Sequence, residues 1–220
     1  MKKKTDEQWA PVSDLMAVLM LIFMFISLLT VRHVLDEREI NELECNKIYD
    51  SLMAEFDQDF EKWDIALLDD LTIRFNNPEL LFKPNESRVS PRFETILQDF
   101  FPRYLEVILQ DKYRSDIRKI RIEGHTSSEW KDAVHEKDAY FLNMQLSQAR
   151  TWNILRYIMT LPTSVYYFDW AKKYVSADGM SSSDPILTSD GIEDKERSRR
   201  VDFRLITTSC RRAGVYEQSI

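Results

Sequence analysis

A run of 20 mostly apolar residues near the amino terminus constrains this chain more than any other feature. Residues 12–31 read VSDLMAVLMLIFMFISLLTV, with Asp14 as the one ionisable group. At about 1.5 Å rise per residue, such a helix crosses a hydrocarbon core of about 30 Å. A cleaved signal peptide is the alternative, but its apolar region is usually shorter, and Arg32 and His33 stand where small residues would be needed. We predict that residues 12–33 form a retained transmembrane helix.

Basic residues at the amino terminus predict the orientation of this helix. Three lysines, Lys2–Lys4, precede the span, and positive charge beside a membrane helix tends to stay in the cytoplasm. Arg32 and His33 on the far side weaken this asymmetry. The sequence still favours residues 1–11 as a cytoplasmic tail, with the chain beyond the helix outside.

The overall charge limits the partners of the chain. The net charge is −7 and 30% of the residues are charged, while the hydrophobic residues are concentrated in the anchor. An acidic protein is a poor electrostatic match for nucleic acid, so we expect no nucleic-acid partner. The chain beyond the anchor is long enough for one domain and a connector.

The two cysteines, Cys45 and Cys210, show neither a metal-binding spacing nor a framework of bridges. Two unpaired thiols are the favoured interpretation. A disulfide between them in an oxidising compartment, or between Cys45 and its copy in a dimer, is the alternative. We expect no metal and no cofactor.

The segment after the span is charged yet periodic. No Pro or Gly occurs from Asp36 to Asn77, and apolar residues recur every three or four positions. Residues 34–68 are therefore predicted to form a stalk helix that buries one stripe against its twin or the following domain. Its aromatic members are interpreted as packing rather than as a cofactor site. The stripe comprises Cys45, Ile48, Leu52, Phe56, Phe60, Trp63 and Leu67.

Residues 69–208 alternate between strand and helix patterns, which indicates a small α/β sandwich, an α+β arrangement of helices on one sheet. Pro102 is expected to kink or restart the first long helix. Residues 209–220 are expected to be a tail. The predicted strands are Leu71–Phe75, Ile117–Glu123 and Val201–Leu205, and the predicted helices are Phe93–Gln110 and Lys137–Thr160.

Three motifs occur in order in this region. Gly124-His125-Thr126-Ser127 follows the second predicted strand, and Ser198-Arg199-Arg200-Val201 opens the last. Between them, one helix face carries side chains at offsets of 0, 3, 4 and 7. These are Asn143, Leu146, Ser147 and Arg150. Together the motifs resemble the OmpA-like peptidoglycan-binding domain, in which they read Gly-His-Thr-Asp, Asn-x-x-Leu-Ser-x-x-Arg and Asn-Arg-Arg-Val.

The resemblance implies a binding site for wall peptide at Asn143, Leu146, Ser147, Arg150 and Ser127. In the family, the helix Arg grips the carboxylate of diaminopimelate, and the Asp of Gly-His-Thr-Asp receives its ammonium group. Arg150 fits the first role, because a guanidinium forms two parallel hydrogen bonds to a carboxylate. Ser127 replaces the Asp. Three alternatives follow: Glu129 or Asp132 pairs with the ammonium group instead, the domain binds wall peptide weakly, or it binds another ligand.

One further residue and two segments have structural interpretations. His125 is expected to be packed and hydrogen-bonded rather than catalytic, because no nucleophile or carboxylate partner is spaced for catalysis. The aromatic segment 163–174 is interpreted as packing, with a dimer contact as the alternative, and residues 181–185 as a polar loop.

Asp14 has two interpretations. An acidic side chain in the first turn satisfies free amides and the helix dipole. However, the string Trp9-Ala10-Pro11-Val12-Ser13-Asp14-Leu15-Met16 resembles the start of MotB-type B subunits of ion-driven rotary motors. That resemblance implies that Asp14 carries a proton, or alternatively sodium, and that two copies of the helix stand inside five multi-span A subunits of the MotA or ZorA type.

A carrier-bearing anchor, a stalk and an OmpA-like domain together resemble flagellar stator B subunits, general envelope tethers and the Zorya-type antiphage B subunit. The Ser after Gly-His-Thr, the charged stalk and the aromatic segment favour the Zorya type. The resemblance implies a homodimeric, non-enzymatic inner-membrane protein with its outer domain in the periplasm on peptidoglycan. A passive tether without ion transport is the competing hypothesis.

Overall fold

The computed structural model describes residues 10–210. The chain forms two compact units, the first ending at Leu43 and the second beginning at Glu44. Helix α1 (Ala10–Phe56) contributes to both. The predicted tails at 1–11 and 209–220 lie almost entirely outside the described residues.

In the first unit, α1 exposes its apolar side chains. Every residue from Asp14 to Glu44 is exposed, and the helix is long and apolar enough to cross a membrane. The Ser27 hydroxyl donates to the Phe23 carbonyl at 2.8 Å, and the Thr30 hydroxyl donates to the Ile26 carbonyl at 2.9 Å. Hydroxyls bonded back to their own helix are satisfied without water, as a hydrocarbon environment requires.

In the second unit, the end of α1 is part of the core. Cys45, Ile48, Leu52 and Phe56 are each at most 1% exposed, so the predicted stripe packs against the following domain. Their spacing of three or four residues places them on one helix face.

The prediction of a stalk helix through residue 68 was wrong beyond Phe56. A short helix α2 (Phe60–Trp63) and strand β1 (Ile65–Leu67) follow instead. The chain turns at Asp64, which adopts the left-handed conformation with φ 53°. Asp tolerates this region better than most residues, and the burial of Trp63 and Ile65 on either side holds the turn. A helix can therefore end without Pro or Gly.

The second unit contains one five-stranded sheet in the order β1-β2-β5-β3-β4. Strands β3 and β4 are parallel, and the other pairs are antiparallel. The three predicted strands are confirmed, whereas β1 and β4 were not predicted. The remaining strands are β2 (Thr72–Phe75), β3 (Ile117–His125), β4 (Val175–Ser181) and β5 (Val201–Thr207).

The two faces of the sheet differ in chemistry because side chains alternate along each strand. On one face Ile73 lies opposite Phe203, and Ile122 lies opposite Phe203 from the other side. On the other face the same register brings Arg74 and Glu123 to Asp202. The result is an apolar face under the helices and an opposite face of ion pairs.

Helix α4 (Pro91–Ile108) covers β2 and β5. Ser90 caps it by accepting a hydrogen bond from the Phe93 amide at 3.0 Å. The Phe100 ring lies 5.3 Å from that of Phe75 and 5.1 Å from that of Phe203. The helix continues through Pro102, so the predicted restart there was wrong. Arg103, one residue on, binds Glu55 and Asp59 and ties α4 to the end of α1.

Helix α6 (Glu136–Met159) covers β3 and β4 and carries the predicted motif residues. It approaches the sheet at two glycines. A Cβ on Gly124 would lie 2.7 Å from Thr151 Cγ2, and a Cβ on Gly179 would lie 2.5 Å from the Gln148 backbone nitrogen. The helix therefore sits at a distance that only glycine permits.

Substitution of Gly179 by Ala should lower the free energy of unfolding by about 1–3 kcal/mol, because the backbone of α6 must move away from β4. Gly191→Ala is the control, since its Cβ meets nothing within 4 Å and only its φ of +75° is unfavourable. Its cost should be about 1 kcal/mol. Denaturant unfolding measures both, and a Gly179 variant no less stable than the Gly191 variant would contradict the prediction.

The two cysteines form a disulfide, so the favoured interpretation of free thiols was wrong. Cys45 is on the first buried turn of α1, and Cys210 follows β5. Their Cα atoms are 5.0 Å apart although 165 residues separate them in the chain. The fold, rather than the spacing in the sequence, brings them together.

The remaining elements are short. The aromatic segment 163–174 packs only in part, since Tyr167 and Trp170 contact the core while Tyr166 is 86% exposed. Ser181, expected in a polar loop, ends β4 instead and is fully buried. The short helices are α3 (Pro78–Leu81), α5 (Asp111–Arg114), a 3-10 helix (Pro162–Tyr166), α7 (Phe168–Tyr174) and α8 (Lys195–Ser198).

Candidate functional site

Asn143 on α6 organises the loop that follows β3. Its side-chain amide donates to the Ser127 carbonyl at 3.1 Å and to the Glu129 carbonyl at 3.2 Å. The residue is 3% exposed, and a buried amide with two acceptors is well satisfied. Asn143 therefore positions the loop that carries Ser127.

Ser147, one turn further along α6, joins the helix to β4. Its hydroxyl donates to the Met144 carbonyl at 3.0 Å and accepts from the Ser181 amide at 3.1 Å. The residue is fully buried. Of the four predicted residues on this helix face, Asn143 and Ser147 thus hold the site together, while Leu146 and Arg150 line it.

Arg150 is held by the loop after α3. Its Nε donates to the Glu86 carbonyl at 3.0 Å, a terminal nitrogen reaches the Lys83 carbonyl at 3.5 Å, and the guanidinium lies over the Phe82 ring at 4.8 Å. Desolvation by burial and the nearby charge of Arg199 lower the pKa of Arg150 to about 10. These contacts orient the cation without neutralising it, so an anion would be stabilised beside it.

Arg150 and Ser127 line the same cavity, which we call the Arg150 pocket and which has a volume of about 320 Å³. The structure thus brings together all five residues predicted for the wall-peptide site. Four of them line the pocket, and the fifth, Ser147, is buried on the same helix. The lining comprises Pro78, Phe82, Pro84, Asn85, Thr126, Ser127, Glu129, Trp130, Lys131, Asn143, Leu146, Arg150 and Arg199. A pocket of this size with a few convergent polar groups suits one amino-acid side chain or a short peptide segment.

Sequence reasoning missed several lining residues. Arg199 belongs to the third motif but was not predicted to be part of the site, and Trp130, Lys131 and Phe82 were not predicted either. Arg199 could have been found, since its motif precedes β5, which pairs with the strand that leads to Ser127. Phe82 lies far away in the sequence, and only the fold places it under Arg150.

The two suggested substitutes for the missing Asp behave differently. Glu129 lines the pocket, but its carboxylate forms an ion pair with Lys195. Asp132 is exposed and is not part of the lining. Among the pocket residues that the structure describes, Glu129 is the single carboxylate.

Glu123, His125 and Asp202 form the one cluster of potential metal ligands among residues 10–210. Arg74 donates to both oxygens of Asp202, at 2.9 and 2.8 Å, and Arg200 donates to one of them at 3.1 Å. Burial alone would raise the pKa of the Asp202 carboxyl, but the hydrogen bond and charge of Arg74, with the charge of Arg200, hold it below its ordinary value. Guanidinium groups thus occupy the positions that a cation would take.

His125 is packed in this cluster, 3% exposed, as expected from the sequence. The prediction that it is hydrogen-bonded was wrong, because neither ring nitrogen has a hydrogen-bond partner among the described residues. Its Nε2 lies 3.6 Å from the nearer Asp202 oxygen and 3.8 Å from that of Glu123. The ring is therefore packed beside two carboxylates, and no catalytic role is assigned to it.

Asp14 lies in the first unit, on the exposed surface of α1. No hydrogen bond or ion pair to its carboxylate occurs within the part of the chain that the structure describes. The neighbouring large side chains Leu15, Met16 and Val18 are all more than half exposed. A carboxylate at one end of an uncovered apolar helix is suited to a partner protein that shields it.

Comparison with known proteins identifies a relative over nearly the whole chain. No family model matches it. A curated relative, the Zorya protein ZorB of Escherichia coli, is 41% identical over 216 residues, which cover 94% of this chain and 91% of the relative. The chain belongs to the ZorB family. Because the alignment covers nearly the full length, the relationship includes the long apolar helix as well as the α/β domain.

One solved structure supports the fold of this ZorB-family chain, and a second is a more distant neighbour. A MotB-like protein from Desulfovibrio vulgaris is 22% identical, covers 78% of this chain and 98% of its own, and has a TM-score of 0.53. The cell wall anchor of the T6SS from Pseudomonas aeruginosa is 19% identical, covers 71% and 96%, and has a TM-score of 0.49. The predicted α/β domain after an apolar helix is confirmed, and so is the assignment to the Zorya type.

Proposed function

We propose that this chain is the B subunit of a proton-driven inner-membrane motor that acts in Zorya antiphage defence and is held to the cell wall by its outer domain. The observation that carries the proposal is the relationship to ZorB over nearly the whole chain. It favours defence over a flagellar role. The Cys45–Cys210 disulfide supports a periplasmic outer domain, because such bonds persist in oxidising compartments.

In the membrane, Asp14 is proposed as the ion carrier. Desolvation of a carboxylate disfavours its charged form, so the group can load and release a proton as its surroundings change. One charge that crosses the membrane potential supplies about 2.3 kcal/mol per 100 mV. A single exposed helix cannot enclose a pathway, and a multi-span A subunit of the MotA or ZorA type is the proposed partner, five copies around two of this chain. The proposed ion is the proton, with sodium as the alternative, and no catalytic role is proposed.

At the wall, the Arg150 pocket is proposed to bind the carboxylate of a peptidoglycan stem peptide. Arg150 is held by backbone carbonyls and repelled by Arg199. A carboxylate would relieve that repulsion and accept charge-assisted hydrogen bonds. Binding at this pocket holds the outer domain in place, so that the membrane part of the complex can exert force against a fixed anchor.

Co-sedimentation with purified peptidoglycan sacculi tests the anchor. The full chain in detergent should pellet with sacculi, and Arg150→Ala should reduce the bound fraction at least tenfold at equal protein concentration. The matched control is Arg156→Ala, which removes an exposed arginine from the same helix and should leave binding unchanged. Equal loss in both variants, or full binding by Arg150→Ala with the fold intact, would contradict the proposed site.

A further inference from the structure

The charges around the Arg150 pocket are strongly unbalanced. Three cationic side chains line it, those of Lys131, Arg150 and Arg199. Glu129 is the one carboxylate among the described lining residues, and it is paired with Lys195. Burial lowers the pKa of Arg150, and the nearby positive charge of Arg199 lowers it further. A ligand that enters this pocket therefore meets an environment that favours negative charge and opposes positive charge.

Ser127 provides no negative charge to pair with a cation. Its hydroxyl is neutral, and its backbone carbonyl already accepts a hydrogen bond from Asn143 at 3.1 Å. The residue is 5% exposed, so an ammonium group beside it would be largely desolvated. Phe82 and Trp130 in the lining add apolar surface that an acyl group can contact, and the Phe82 face is already covered by the guanidinium of Arg150.

Diaminopimelate has a carboxylate and an amine at the same end of its side chain. The amine is cationic when free and neutral when it is acylated in a peptide cross-link. From the charges and the neutral Ser127, we propose that the Arg150 pocket selects diaminopimelate whose side-chain amine is acylated over the form with a free amine. The inference rests on the proposed wall-binding function and adds its specificity: the domain recognises cross-linked peptide.

Two synthetic tripeptides test this specificity, L-Ala-γ-D-Glu-meso-diaminopimelate with a free side-chain amine and the same peptide with that amine acetylated. Calorimetric titration of the full-length protein in detergent gives the two affinities. The acetylated peptide should bind at least tenfold more tightly. Equal affinities, or a preference for the free amine, would overturn the inference and leave the wall-binding function in place.

Variants at position 127 make the test sharper. Ser127→Asp places a carboxylate in the pocket and should reverse the preference toward the free amine. Ser183→Asp adds the same charge at an exposed position outside the lining, and should keep the wild-type preference. If Ser127→Asp does not fold, the wild-type comparison still decides the question. If the wild-type protein binds neither peptide, the proposed wall-binding function itself fails, and this inference fails with it.

Discussion

Replacement of Asp14 by Asn should abolish protection against phage and proton conduction, while the membrane complex still assembles. Asparagine has nearly the same shape as aspartate but neither gains nor loses a proton, so only the carrier function is removed. Phage plaquing efficiency measures protection, and a fluorescent pH indicator inside proteoliposomes measures conduction. We expect both to fall to the level of cells or vesicles that lack the chain.

The matched control for Asp14 is Ser27→Ala in the same helix. The Ser27 hydroxyl bonds to the Phe23 carbonyl of its own helix, so its loss should leave protection and conduction near wild-type values. Copurification with the A subunit shows whether each variant assembles. Full protection by an assembled Asp14→Asn protein would refute the motor and support a passive tether.

Loss of the Cys45–Cys210 disulfide should lower the free energy of unfolding by about 3–5 kcal/mol, because it releases a loop of 165 residues in the unfolded chain. Each single Cys→Ser variant should be destabilised as much as the double variant, since either substitution breaks the bond. Denaturant unfolding of the full chain in detergent measures the effect, and sacculus binding should fall in parallel at growth temperature.

Reductant provides the control for the disulfide variants. Wild-type protein unfolded with reductant should match the double variant, whereas the double variant should not respond to reductant. A wild-type unfolding midpoint that reductant leaves unchanged, with the thiols shown to be free, would show that the bond does not stabilise the fold.

The elements that could be predicted from the sequence are those with strong local periodicity. The apolar run predicted the first part of helix α1 and the apolar stripe predicted its continuation, while alternation of apolar residues predicted β2, β3 and β5 to within a few residues. Strands β1 and β4 lack that alternation. β1 is three residues long, and β4 contains Gly179 and mostly half-buried polar residues. Their positions depend on pairing with distant strands, which local patterns do not report.

In the candidate site, too, the residues with a local sequence signal could be predicted and those that depend on distant contacts could not. Residues inside motifs, such as Arg150 and Ser127, could be named because their spacing matches a known domain. The contact of Phe82 with Arg150 could not be predicted, and the cysteine pairing could only be offered as an alternative, since contacts between residues so far apart in the chain are set by the assembled core. Asn143 and Ser147 were predicted as binding residues, whereas in the structure their side chains hold the loop and the sheet in place. Sequence spacing shows that residues share a helix face, but it does not show whether they contact a ligand or support the fold.

The position of the disulfide also has a mechanical consequence. Cys45 is where α1 first becomes buried, and Cys210 lies three residues beyond β5, the middle strand of the sheet. Tension that enters along α1 is therefore delivered through a covalent bond to the centre of the sheet. The helix cannot separate from the domain without also pulling on β5, a strand that is paired on both sides.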